Sequence, residues 1–176
     1  MLAAGVIERR GAAAFAVATG QRQLVGYAAR FGSEARLAGF TEVIAPGAFK
    51  ASLAGRDIVA LIDHDPARLL ARTKSGTLRL AEDSKGLRYE IDLPDTTEGR
   101  DILTLAERGD LGGLSFGFTV PKGGEHWQGQ RRELRAVTLH EISVVHSWPA
   151  YPDTSIHARA ATPRLNLARL FLETCR

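Results

Sequence analysis

Three short stretches of this chain carry side chains able to do nucleophilic or acid–base work. The first is Gly112-Gly113-Leu114-Ser115-Phe116-Gly117-Phe118. Written on a strand, it places Leu114, Phe116 and Phe118 on one face and Gly113, Ser115 and Gly117 on the other. A serine between two glycines leaves room for a substrate backbone beside a hydroxyl that a base could activate. Close approach of another strand or a helix would use the same groove, since glycine weakens a strand and needs a reason to be there. The second stretch is Leu61-Ile62-Asp63-His64-Asp65-Pro66, where an apolar strand runs into a loop. His64 there reads either as a general base or as an ordinary surface residue. The third is Leu139-His140-Glu141-Ile142-Ser143-Val144-Val145. Alternation groups Glu141 with Ser143 and sets His140 with Ile142 and Val144 on the opposite face. A buried carboxylate beside an imidazole would hold its tautomer and stabilise its cation; pairing of Glu141 with a surface arginine is the structural alternative.

No metal or cofactor is expected. Asp63-His64-Asp65 is contiguous, so on a strand the flanking carboxylates would point away from the imidazole. No His-Glu-x-x-His or Cys-x-x-Cys spacing accompanies it.

The elements that must position these groups are mostly short strands between turn signals, from Ala13 to about Val145. Ala14–Val17 and Gln23–Phe31 flank Gly20 as a hairpin, and Thr41–Ile44 is a strand. Pro46-Gly47 opens a helical turn over Ala48–Leu53, closed by Gly55. Asp57–Ile62 is an apolar strand. Thr77–Ala81 and Leu87–Leu93 form a second hairpin around Asp83-Ser84-Lys85-Gly86. Thr96–Arg108 has helical spacing, with Asp95 as expected N-cap, Glu98 three residues on and Gly109 as the closing glycine. Gly113–Val120 is the serine strand, and Arg132–Val145 reads as one long strand, bent or bulged. After the prolines at 149, 152 and 163, Leu165, Leu167, Phe171 and Leu172 give a short amphipathic helix, expected to dock on the rest of the chain or on a second copy. The expected fold is β-rich α+β: a barrel with a helix across it, residues 1–158 as the domain and 159–176 as a helical tail.

Composition narrows the classes. A length of 176 residues suits one domain, and 44% hydrophobic with 24% charged residues is the balance of a soluble globular protein. No apolar run reaches the roughly 18 to 20 residues that span a bilayer, so no membrane partner is expected. The arginines of Met1–Arg10 follow the apolar residues, the reverse of a secretory signal. Cys175 is the sole cysteine; it can form no internal disulfide, which suits a reducing cytoplasm, and its terminal place makes it a poor nucleophile. Net charge is only +3. Arg131 and Arg132 have no interleaved stacking aromatics, so a solvated charged surface is expected rather than a specific nucleic-acid site.

Together the stretches match a larger pattern. His64, Ser115 and Glu141 occur in that order, with Glu42-Val43-Ile44-Ala45-Pro46-Gly47-Ala48-Phe49 upstream and Pro149-Ala150-Tyr151-Pro152-Asp153-Thr154 downstream. From about Gly26 to Thr154 the chain resembles the prohead proteases of tailed phages, also found in prophages and gene transfer agents. The resemblance implies a barrel related to the herpesvirus assembly proteases, and a serine endopeptidase in which His64 is the base, Ser115 the nucleophile and Glu141 the third member. It further implies action inside an assembling prohead on the scaffold, or on the scaffold-like arm of the major capsid protein precursor, and on the protease's own ends. Ala71 departs from the pattern where many relatives have glycine. A catalytically silent capsid-assembly module on the same fold is the alternative from a different class. A small-molecule esterase is disfavoured, because no Gly-x-Ser-x-Gly elbow occurs.

Overall fold

Alternation of apolar and polar side chains runs through most of the chain, and strands are what it builds. The computed structural model describes residues 6–12, 15–17, 22–37 and 39–147. In chain order these form β1 (Glu8–Ala12), β2 (Phe15–Val17), β3 (Gln23–Arg30), β4 (Glu34–Leu37), β5 (Phe40–Ile44), α1 (Lys50–Leu53), β6 (Val59–Ile62) and β7 (Asp65–Arg72). Then come β8 (Leu78–Glu82), β9 (Gly86–Asp92), α2 (Thr97–Arg108), β10 (Gly113–Thr119), β11 (Glu125–Gln128), β12 (Arg131–Leu134) and β13 (Thr138–Val145). The expected tail helix, Cys175 and the Pro149–Thr154 motif lie outside the described residues.

The strands make three sheets, ordered β1-β10-β13-β6-β7, β11-β12-β5-β4 and β2-β3-β9-β8. β13 runs parallel to β6 and β12 parallel to β5, while every other neighbour is antiparallel. The chain is thus β-rich α+β. A closed barrel would need hydrogen bonds joining outer strands, and among the described residues all three sheets are open. One core nevertheless serves all of them. Ala60, Ile62, Phe116, Ile142 and Val144 enter it from the first sheet, Leu134 from the second, Leu24, Leu87 and Ile91 from the third. Ile102 and Ala106 close it from α2. Each such Leu, Ile or Phe, fully buried, contributes about 1.5–3 kcal/mol.

α2 starts at Thr96, whose hydroxyl accepts from the Gly99 N–H at 3.2 Å; Asp95, the expected cap, pairs instead with Arg22 and Arg100. The helix ends at Gly109 with φ 75°, the left-handed conformation that glycine adopts without steric cost. The stretch 132–145 is not one bent strand. Its two halves pair with different partners, β12 with β5 and β13 with β6. β1, β4, β7 and β11 are additional to the expected strands; each is short or rich in charge, which blunts the periodic signal.

Arg132 overturns the expectation of a solvated basic surface. It is 1% exposed and reaches Glu8 at 2.6 and 2.9 Å, Glu42 at 2.9 Å and Glu125 at 2.6 Å. Arg10 binds the same Glu42 and Glu8. This charge cluster ties β1 to the second sheet. In doing so it holds β1 along β10, with Gly11 opposite Ser115.

Candidate active site

Ile62 and Asp65 are paired, so Asp63-His64 is the whole connection between β6 and β7. Both residues have positive φ, 51° and 63°. Two left-handed residues in sequence are what a tight hairpin needs to follow strand twist, and the usual occupants are Asn-Gly or Asp-Gly. Asp and His tolerate this region better than most residues, yet each such position costs on the order of 1–3 kcal/mol. The expected passage from apolar strand to loop is thus a two-residue turn, Asp63-His64, with Asp65 already in β7. The strand geometry used to weigh the flanking carboxylates does not apply here; the turn aims the imidazole. β7 then leaves its register between Asp65 and Leu69, where Pro66 has no N–H to offer a ladder.

His64 is directed toward β13. Its Nδ1 lies 2.6 Å from Glu141 Oε1. An ionised carboxylate only accepts, so Nδ1 carries the hydrogen, and in the neutral ring Nε2 keeps a free lone pair. The second oxygen of Glu141 accepts from the Ser143 hydroxyl at 2.6 Å. Glu141 is 8% exposed and Ser143 fully buried, so both carboxylate oxygens have protein donors in a place that water reaches poorly.

Register places the serine. Across β10 and β13, Ser115 is opposite Ser143 and Gly117 opposite Glu141. Directly paired residues share a face, so Ser115, Glu141 and Ser143 stand on one side of the sheet, away from the core face of Leu114, Phe116, Ile142 and Val144. Gly117 is glycine for a local reason. A Cβ there would overlap Glu141 Oε1 and lie 3.1 Å from Cδ. The groove read from sequence as space for a substrate backbone is, at Gly117, filled by the carboxylate. Ser115 is 2% exposed, and no hydrogen bond joins its hydroxyl to His64 among the described residues.

His140 stands apart. The ladder shifts between Gly117 and Phe118, leaving His140 unpaired as a β-bulge residue. The bulge removes it from the face of Ile142 and Val144, where alternation had put it. Its Nε2 meets Thr119 Oγ1 at 3.0 Å and its Nδ1 faces Arg56 at 3.4 Å. Burial, then the nearby Arg56 charge, lowers its pKa from the ordinary histidine value. Because the bulge precedes Glu141, it leaves Glu141 and Ser143 in phase with Ser115.

A family model described as caudovirus prohead serine protease matches residues 11–166. The chain belongs to that family. It is thereby a serine protease of viral capsid maturation. Comparison with curated proteins and with solved structures gave no match. Among the described residues of this protease, no group of three or more His, Cys, Asp or Glu could hold a metal ion, and no helix is long and apolar enough to cross a membrane.

Sequence reasoning missed His146, which lies beyond β13 and outside every motif. Its backbone N–H donates to Asp63 Oδ1 at 3.0 Å, and its ring Nδ1 lies 2.6 Å from Oδ2. Burial alone would raise the Asp63 pKa, but the His146 hydrogen bonds and the His146 and Arg68 charges hold it below the ordinary aspartate value. Beside this contact an open cleft of about 380 Å³ runs between Arg68, Glu98, Leu105 and His146. The only local sign of His146 was a histidine one residue after a strand, which carries no spacing rule.

Proposed function

We propose that this prohead protease cleaves peptide bonds through Ser115, His64 and Glu141. The observation that carries the reading is the 2.6 Å contact of His64 Nδ1 with Glu141, made on the same sheet face as Ser115. Glu141 fixes the tautomer that leaves Nε2 free to take the Ser115 proton. The hydroxyl oxygen then attacks the peptide carbonyl, and the imidazolium returns its proton to the leaving amine. Water, deprotonated by the same ring, hydrolyses the acyl-enzyme. The Ser115–His64 hydrogen bond forms in this reading as substrate arrives, since catalytic hydrogen bonds commonly tighten at that point.

The substrates in this reading are the scaffold, or the scaffold-like arm of the major capsid protein precursor, and the protease's own ends, inside the assembling prohead. The three open sheets around one core would then be the wall of a barrel like that of the herpesvirus assembly proteases, with a carboxylate as third member. The test is incubation of purified protein with the capsid precursor encoded beside it. Parent protein should yield a discrete product, and Ser115→Ala should lower the rate by several orders of magnitude with the fold intact. Equal cleavage by Ser115→Ala would make that serine structural and sink the reading.

A further inference from the structure

The Asp63-His64 turn is held at both residues by the same strand. Glu141 of β13 takes the His64 ring, and His146, just past the end of β13, takes the Asp63 carboxylate. The two imidazole–carboxylate pairs are crossed: the turn supplies one carboxylate and one imidazole, and β13 with its extension supplies the complements. The Asp63 N–H also donates to Val144 O at 2.9 Å, which extends the β6–β13 ladder into the turn. Since Asp63 and His64 both sit at positive φ, relaxation of either would swing the imidazole off its line.

We propose that Asp63 and His146 are positioning residues, a clamp that sets the direction of the His64 ring toward Glu141 and Ser115. The proposal rests on the reading of His64 as general base. Its reasoning is geometric. Glu141 can orient the ring only if the backbone brings His64 within reach, and that backbone is in a conformation the local sequence disfavours. A bidentate tie from His146, one bond from its backbone and one from its ring, supplies the missing constraint. Arg68 Nη1, at 3.4 Å from Asp63 Oδ2, adds a weaker third contact. The His146 ring works here as a donor, because a carboxylate faces Nδ1.

The experiment pairs kinetics on the capsid precursor with proton NMR of the His64 Nδ1–H, which a short bond to a carboxylate moves far downfield. His146→Leu keeps the backbone bond and loses the ring donor. Asp63→Asn turns a donor toward the His146 donor. Both should lower kcat by roughly tenfold to a hundredfold with little change in KM, and should weaken or shift the downfield resonance. His146→Asn, whose side-chain amide N–H takes the place of the ring Nδ1–H, should restore most of the rate and the signal. If His146→Leu fails to fold, Asp63→Asn carries the same comparison. Parental kcat and an unchanged resonance in folded His146→Leu and Asp63→Asn would overturn the proposal. So would a His146→Asn protein as impaired as His146→Leu. Ser115→Ala separates the two readings. It should abolish cleavage and retain the resonance; should it cleave normally, the catalytic reading falls while the resonance still reports on the clamp.

Discussion

Glu141 accepts through both of its terminal atoms at once, which an amide, with one oxygen and one NH2 group, cannot do. It accepts the His64 Nδ1–H at 2.6 Å and, through its other oxygen, the Ser143 hydroxyl. Glu141→Gln keeps the size but offers an N–H where an acceptor is needed, which favours the wrong imidazole tautomer. A fall in kcat of about 10³- to 10⁴-fold is expected, with unchanged circular dichroism. His140→Gln should be mild, because the bulge turns that ring to Thr119 and Arg56. Parallel kinetics on the two variants decide between them, and a larger loss at His140 would reverse the assignment. Gly117→Ala makes a sharper test of the same carboxylate. The added methyl must displace Glu141 Oε1, so turnover should drop by more than the modest loss of stability accounts for. Measured melting temperature and kcat together show whether the two effects separate.

At the scale of the element, the β6–β7 turn is the costly part of the design, and its acid dependence can be worked out. Asp63 has a pKa lower in the folded protein than its ordinary value, so its stabilisation is complete above the unfolded value of about 3.9. It is lost as pH falls through the lower folded value, where the carboxylate gains a proton and one acceptor for His146 becomes a donor. Urea unfolding of the parent and of Asp63→Asn should therefore differ near neutrality and converge below about pH 3.9. A gap that stays the same into that acid range would mean the carboxylate charge contributes nothing to the turn. α2 closes the same region from the other side: Glu98 in its first turn binds Arg68 at 2.6 Å, and the Arg68 guanidinium reaches Asp63.

The whole molecule depends on a buried charge cluster more than its composition suggests. Arg132 joins Glu8 of β1, Glu42 of β5 and Glu125 of β11, and so ties the first sheet to the second. Removing Arg132 leaves Glu8 and Glu42 to share Arg10, one cation against two carboxylates in a poorly hydrated place. Arg132→Met should cost about 3–5 kcal/mol of stability, against near neutrality for an exposed arginine such as Arg135. Chemical unfolding of the two variants measures the difference. β1 is the element that should loosen first, because the ion pairs that tie it to the second sheet, those of Glu8 and Arg10, belong to this cluster. Its loss would expose the edge of β10 at Ser115, so hydrogen exchange of the β10 amides should rise in Arg132→Met even where the protein stays folded.

Local pattern was enough for much of this. A side-chain period of two put Ser115 with Gly117 and Glu141 with Ser143, and the order of the motifs around them pointed to the family. Turn chemistry located α2 to within a residue and its closing glycine at Gly109. Alternation is a property of neighbours, however, and could not say which strands meet. That β12 and β13 part company, that β13 lies parallel to β6, and that a bulge frees His140 are decided by packing across the core. The same holds for Arg132, whose burial comes from three acids on three other strands. Asp63-His64 shows the division most clearly. Nothing in the dipeptide requires two consecutive left-handed residues, and its intrinsic preferences oppose them. Contacts 77 and 83 residues away, to Glu141 and His146, hold the turn in that form, because only a folded chain can bring those partners close enough to offset the strain.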